Sequence, residues 1–259
     1  RTGTGLVTVA IPGSLRASVA GMVAEPTYLP LPESSPGIVS TNAAQLILQK
    51  LSDYDALLVG CGLGQAPETA EVLRELLLSG TTLPPTVVDA DGLNIIAACN
   101  SGHTEWWDRL SGPAILTPHP GEMSRLTGHS IDAVQADRIG MAMGWASKWN
   151  KIIVLKGAYT VVACPDGKAM VSPFVNAGLA SAGTGDVLSG MIASLIAQHI
   201  SPLDASLISA YVHAEISRIY SKTPNLSETK VGDTICETSQ HLKEALPGFK
   251  PSKPVVFCG

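Results

Sequence analysis

Aromatic side chains are scarce, at 5% of 259 residues, which leaves little material for a stacking platform on single-stranded nucleic acid. Charge is thin as well: 15% of residues are charged and the net balance is −5. The chain therefore lacks the basic footprint that a polyanionic partner requires. Any anionic ligand must be held locally, by backbone amides, helix N-termini and one or two placed cations. No apolar run reaches the ~18 residues of a membrane span, and no fixed-period repeat is present. The five cysteines (Cys61, Cys99, Cys164, Cys236, Cys258) contain no C-x-x-C, and the six histidines no H-E-x-x-H. That argues against a disulfide frame or a zinc site and fits reduced thiols in a cytosolic protein. No secretory leader pattern opens the chain, because Arg1 runs almost directly into an apolar strand. We expect a soluble cytoplasmic enzyme, with Arg1 lying inside a longer product.

What is present is a 45% hydrophobic composition with 25 glycines and 18 prolines, enough to bury a core across many connections. Apolar runs at residues 5–11, 56–59, 86–88, 114–116 and 151–155 read as buried strands, and 159–163 with 169–171 as a hairpin. Helical patterns fall at 43–51, 68–78, 132–149, 187–198, 203–220 and 233–246, and 25–37 reads as a proline-rich loop. Strands alternating with helices predict one α/β domain over residues 1–259, a three-layer αβα arrangement around a mainly parallel sheet. Four polar motifs follow strand ends, where an open parallel sheet places its ligand crevice.

The strongest of the motifs runs from Asn176 to Asp186 and holds Gly183, Thr184 and Gly185 before an amphipathic helix. Free amides and the positive end of a helix dipole make such a loop an anion site, and the two glycines admit close approach of a ligand oxygen. Asp186 is either the base of that site or an ordinary helix cap. Gly60-Cys61-Gly62-Leu63-Gly64 reads equally as a tight strand-to-helix turn or as a ligand contact, and Gln65 breaks the dinucleotide fingerprint. Lys156 ends a strand, where it is either solvated or set against a phosphate. Pro118 and Pro120 fix the backbone around His119, which reads equally as a ligand group or a structural one. Asp89 and Asp91 are read as helix caps before metal ligands, and the four tryptophans, Trp145 and Trp149 at i, i+4 among them, as packing.

Together these strings resemble the ADP/ATP-dependent NAD(P)H-hydrate dehydratases of the ribokinase-like superfamily. The resemblance is carried by Gly3-Thr-Gly-Leu-Val, Gly60-Cys-Gly-Leu-Gly, Asp89-Ala-Asp-Gly-Leu-Asn, Thr117-Pro-His-Pro-Gly-Glu, Leu155-Lys-Gly-Ala-Tyr-Thr and Asn176 through Gly190, in the family's order. It implies a ribokinase-like fold. It also implies that ADP or ATP, with Mg²⁺, phosphorylates the C6 hydroxyl of hydrated NADH or NADPH (NADHX, NADPHX), and that phosphate elimination restores the dihydronicotinamide. Carried over, Asp186 is the catalytic carboxylate and contacts the hydrated cofactor together with Gly62 and His119. Lys156, Gly157, Ala158, Tyr159, Thr160, Asn176, Gly183, Thr184 and Gly185 contact the nucleotide. No residue is assigned to a metal. A homo-oligomer, a tetramer, is implied, with neither nucleic acid nor membrane as partner.

The family's opening strand, glycine-rich turn and helix have no counterpart in this chain, nor has the epimerase domain fused to some relatives. Residues 5–11 are apolar on both faces and need a neighbour on each side. We therefore expect an upstream segment of roughly thirty residues to lie beside that strand and complete the fold, since an unpaired buried edge is costly. Two other functions fit the same anion hole: a ribokinase-like small-molecule kinase and a non-catalytic nucleotide-binding remnant.

Overall fold

A computed structural model gives the architecture of residues 2–99, 105–173, 183–220 and 255–258. Strand β1 (Val7–Pro12) is followed by helix α1 (Arg16–Met22) and strand β2 (Thr27–Leu31). A small antiparallel hairpin, β3 (Glu33–Ser35) with β4 (Ile38–Val39), comes next. These elements occupy much of the stretch read as a loop. The prolines misled that reading, yet β2 ends the sheet, and an edge strand tolerates Pro30 because one side of it needs no ladder donor.

Helix α2 (Ala43–Leu48) leads to β5 (Ala56–Val59), α3 (Pro67–Leu78), β6 (Thr86–Val88) and α4 (Ala90–Ala97). Pro67 sits at the first turn of α3, where its missing N–H costs nothing. Then come α5 (Trp106–Arg109), β7 (Ala114–Leu116), α6 (Pro120–Thr127), α7 (Ile131–Ala136) and α8 (Arg138–Trp149). The single helix expected at 132–149 is thus two. Asp137 breaks it, with φ −139° and ψ 71°, and its carboxylate caps α8 by accepting from the Gly140 amide at 2.8 Å.

Strands β8 (Ile152–Leu155), β9 (Val161–Ala163) and β10 (Ala169–Val171) form an antiparallel extension, as the hairpin reading expected. Helices α9 (Thr184–Ala197) and α10 (Pro202–Tyr220) follow, and β11 (Val255–Cys258) comes last. The helix expected at 233–246 lies outside the described residues.

The sheet has nine strands in the order β10-β9-β8-β7-β6-β5-β11-β1-β2, parallel from β8 to β2. Side chains alternate between two cores, as the pleat requires. Leu57, Val59, Val88, Leu116, Ile153 and Leu155 face α2 to α8, and Leu58, Val87, Ile115 and Val154 face α9 and α10. The tryptophans pack as expected: Trp106 and Trp149 are buried, and the Trp145 and Trp149 rings lie 4.9 Å apart.

The open side expected beside β1 is not there. β2 pairs with one edge of β1 (Thr8↔Thr27 to Pro12↔Leu31) and β11 with the other (Val7↔Val255 to Ala10↔Cys258). The need for two neighbours was read correctly, and within the described residues β2 and residues 255–258 meet it. Among the described residues, no helix is long and apolar enough to cross a membrane.

Candidate active site

The C-terminal ends of β5, β6, β7 and β8 form one rim of the sheet, and the N-terminus of α9 comes to it from the opposite face. At the end of β5 the chain turns through Gly60 (φ +117°) and Gly62 (φ +67°). A Cβ on Gly60 would lie 1.9 Å from the Asp89 carbonyl oxygen, so only glycine lets the β5 and β6 ends approach this closely. Gly62 has open space at its Cβ position and borders a cleft lined by Pro12, Leu15, Val39 and Leu63.

Asp89 caps α4, as its position predicts, by accepting from the Ala90 amide at 2.8 Å. It does more than cap. Fully buried, it also takes the Lys156 ammonium on Oδ1 at 2.5 Å and the Ser189 hydroxyl of α9 on Oδ2 at 2.5 Å. One carboxylate therefore ties the β6 end, the β8 end and the base of α9 together. Asp91 clamps the turn after β5, accepting from the Gly64 amide and the Gln65 side chain.

Lys156 is not the solvated lysine a strand end would suggest. Its side chain is 17% exposed, and Glu122 lies 3.8 Å away in addition to the Asp89 contact. A Cβ on Gly185 would come within 3.2 Å of its Nζ, which places the ammonium against the first turn of α9. Lys156 to Thr160 form a turn between β8 and β9, with Gly157 at φ +139°, Tyr159 at φ +55° and the Thr160 hydroxyl donating to the Gly157 carbonyl. Arg138, which the sequence did not single out, braces this turn by donating to the Leu155 and Lys156 carbonyls.

Helix α9 starts three residues earlier than expected, and this removes the cap reading of Asp186. Gly183 takes the cap position in a left-handed conformation (φ +84°), with no side-chain cap bond, and Asp186 sits in the first turn, exposed. Asp186 is therefore not the cap. The amides of Gly185 and Asp186 come before the first intrahelical donor, Val187, which bonds to the Gly183 carbonyl at 3.2 Å, and they carry the positive end of the dipole. Asn176 lies outside the described residues.

His119 has a structural task that the sequence could only half suggest. It caps α6: Nδ1 accepts from the Gly121 amide at 2.9 Å and the Glu122 amide at 3.3 Å, and Glu122 Oε2 accepts from the His119 amide at 2.7 Å. With Nδ1 an acceptor, these bonds assign the proton of the neutral ring to Nε2, which lies 3.3 Å from Glu122 Oε1. Burial, followed by the charges of Lys156 and Arg125, lowers the pKa of His119, and the imidazole is still half-exposed toward the rim. Burial raises the pKa of Glu122 against the pull of Lys156.

His213 on α10 was missed because nothing in its local sequence marks it. It is buried beneath the start of α9, where it bonds to the Thr184 backbone, and burial pushes its pKa down to about 4. Among the described residues, one group could hold a metal: single donor atoms of Cys61, Asp89 and Asp186 lie within 4.8 Å of one another. It does not fit Mg²⁺. That ion demands hard oxygen donors, whereas the Cys61 thiol is held protonated, its pKa raised by burial and then by the charges of both carboxylates. Both Asp89 oxygens are also already engaged.

A family model described as NAD(P)H-hydrate dehydratase matches residues 1–240. The bifunctional NAD(P)H-hydrate repair enzyme of Moorella thermoacetica is 40% identical over 213 residues, 82% of this chain and 39% of that protein. The ADP-dependent (S)-NAD(P)H-hydrate dehydratase of Neisseria meningitidis is 35% identical over 199 residues, 77% of this chain and 66% of that protein. The chain thus spans about 40% of the length of the bifunctional relatives that it matches. The crystal structure of the Bacillus subtilis ADP/ATP-dependent NAD(P)H-hydrate dehydratase, co-crystallised with ATP/Mg²⁺ and soaked with CoA, superposes with a TM-score of 0.72 at 28% identity. That superposition covers 93% of this chain and 82% of that one. A ribokinase-like superfamily protein from Enterococcus faecalis, at 22% identity and a TM-score of 0.75, shares the fold over 93% of this chain and 78% of its own.

Proposed function

We propose a function from one premise: the chain belongs to the NAD(P)H-hydrate dehydratase family. On that premise it is the catalytic unit that repairs hydrated NADH and NADPH at the expense of ADP or ATP. The C6 hydroxyl of the hydrated ring gives its proton to Asp186 and forms a bond to the terminal phosphorus of the nucleotide, and the bond from that phosphorus to the leaving AMP or ADP breaks. The C6–O bond then breaks, phosphate departs, a proton is lost from the neighbouring carbon, and the dihydronicotinamide is restored.

One observation carries this reading. Of the carboxylates at the rim, Asp89 is buried and spent on Lys156, Ser189 and the Ala90 amide, Asp91 holds the Gly64 amide and Gln65, and Glu122 is buried against the His119 amide, whereas Asp186 is exposed in the first turn of α9. A base must reach its proton, and Asp186 is the one positioned to do so, beside amides and an ammonium that suit a phosphoryl group. Lys156, the 157–160 turn, Gly183, Thr184 and Gly185 are the groups that would take the nucleotide, with Asn176 assigned by resemblance. Gly62 and His119 would face the hydrated ring. Mg²⁺ would arrive on the phosphates and neutralise charge there, held by phosphate oxygens and water.

Nine of the eleven strands among the described residues share one sheet, which supports reading the chain as one domain. A cytoplasmic site of action fits the thiols of Cys61, Cys99 and Cys164, all unbridged. Assembly into a homotetramer is proposed on family resemblance.

The experiment is incubation of the chain with hydrated NADH and either ADP or ATP, followed by the absorbance of the dihydronicotinamide. Return of the absorbance, dependent on nucleotide, supports the reading. Nucleotide consumption without it would point to a small-molecule kinase, and binding without consumption to a non-catalytic remnant.

A further inference from the structure

The turn after β5 leaves Cys61 little freedom. It stands between two glycines in left-handed backbone, Gly60 at φ +117° and Gly62 at φ +67°, and its side chain is 4% exposed. The turn sets Sγ beside Asp89 and Asp186: Sγ, one Asp89 oxygen and one Asp186 oxygen lie within 4.8 Å of one another. The surroundings of those carboxylates differ. The charge of Asp89 is met by the Lys156 ammonium and by two further donors. Among the described residues, no ion pair reaches Asp186.

We infer that Cys61 is a positioning residue for the base: its thiol hydrogen holds one oxygen of the Asp186 carboxylate and leaves the other to the substrate hydroxyl. The inference rests on the reading of Asp186 as the base. The thiol suits the task because burial, and then the charges of two carboxylates, keep it protonated, so it remains a donor across the working pH range. A weak donor is also appropriate, since a strong one would drain the basicity that proton abstraction needs.

The other groups around Asp186 are each already engaged elsewhere. From the β6 end comes Asp89, compensated as above. Lys156, at the end of β8, sits against Gly185. On the next helix, His213 bonds to the Thr184 backbone, and Ser189 on α9 itself is engaged with Asp89.

The test compares Cys61→Val, which fills the space without a donor, with Cys61→Ser, which keeps one. Cys61→Ala serves as a second donor-free variant should the valine disturb the fold. The Asp186 carboxyl is followed directly by ¹³C NMR titration, assigned by its loss in Asp186→Asn, and the pH profile of kcat is recorded beside it. A hydrogen bond to the ionised form lowers a carboxyl pKa. Its loss should therefore move the Asp186 titration and the acid limb of kcat upward, by up to about one pH unit. At neutral pH, kcat should fall roughly two- to tenfold without change in nucleotide KM. Cys61→Ser should titrate at or below the wild-type value and keep most of kcat. An Asp186 titration unmoved in both donor-free variants, or shifted equally in the serine variant, overturns the inference. If the wild-type chain never restores the dihydronicotinamide, the functional reading fails while the NMR titration still decides the thiol contact.

Discussion

The Lys156 ammonium lies 2.5 Å from Asp89 Oδ1, and the other oxygen of that carboxylate holds Ser189 of α9. The cation read as a phosphate ligand is thus anchored by a buried carboxylate that also fixes the helix carrying Asp186. Neutralised by Asp89, it would meet a nucleotide as a positioned donor rather than as excess charge.

Lys156→Ala should weaken nucleotide binding about ten- to a hundredfold, the effect of losing one charge-assisted hydrogen bond. Calorimetry with ADP and ATP checks it, and unchanged affinity would count against the phosphate role. The same change strips Asp89 of its counter-charge, so a fall in melting temperature should accompany it. Asp89→Asn, which keeps the shape but removes the charge, should cost less stability than Asp89→Ala, where the α4 cap and the Ser189 bond vanish as well.

Gly60→Ala should be among the most damaging single-methyl additions in the chain. The new Cβ meets the Asp89 carbonyl at 1.9 Å, and the φ of +117° is strained for any L side chain. Denaturant unfolding should show a loss of several kcal/mol, on the scale of overpacking with added backbone strain. Gly62→Ala, at φ +67° with open space around its Cβ position, should cost much less. Equal losses at the two positions would contradict the packing account.

The pH dependence of stability should carry a mark from His213. Its pKa in the fold is about 4, against about 6.5 for an unperturbed histidine. Between those values the unfolded chain binds the extra proton and the folded chain does not, so stability falls as the pH drops through that window. His119, shifted in the same direction, adds to the slope. The His213 contribution is full above about pH 6.5 and amounts to about 3 kcal/mol. Urea midpoints at pH 7 and pH 5 should differ less in His213→Leu than in wild type. A variant that keeps the full pH slope would remove His213 from the account.

Much of the site was legible because its chemistry is written in short contiguous strings at strand ends. The Gly183 to Asp186 loop, Lys156 after its strand and the glycines around Cys61 each carry a local rule, and the parallel sheet gathers them at one rim. The same local reasoning left the roles of Asp89 and His119 half-described. Each caps a helix, as proximity in sequence suggests, but the partners that define the site, Lys156 and Ser189 for Asp89, are 67 and 100 residues away. Asp186 shows how much depends on a small shift: a helix start placed three residues late made a cap reading plausible that the fold removes. Strand β11 escaped because four apolar residues, Val255 to Cys258, have no periodicity to read, and their pairing with β1 and β5 is set by the sheet. Composition misled at residues 25–37, where prolines that suggest a loop are compatible with an edge strand and a short hairpin.

The central claim is that Asp186 activates a hydroxyl for phosphoryl transfer that ends in a restored dihydronicotinamide. It is tested most directly by the absorbance time course with hydrated NADH and ADP or ATP, for the wild-type chain beside Asp186→Asn, with nucleotide affinity measured on both. The account predicts nucleotide-dependent recovery by wild type, a loss of about 10²–10⁴ in rate for the variant, and affinities within a few-fold of each other. Recovery by Asp186→Asn at the wild-type rate would contradict it.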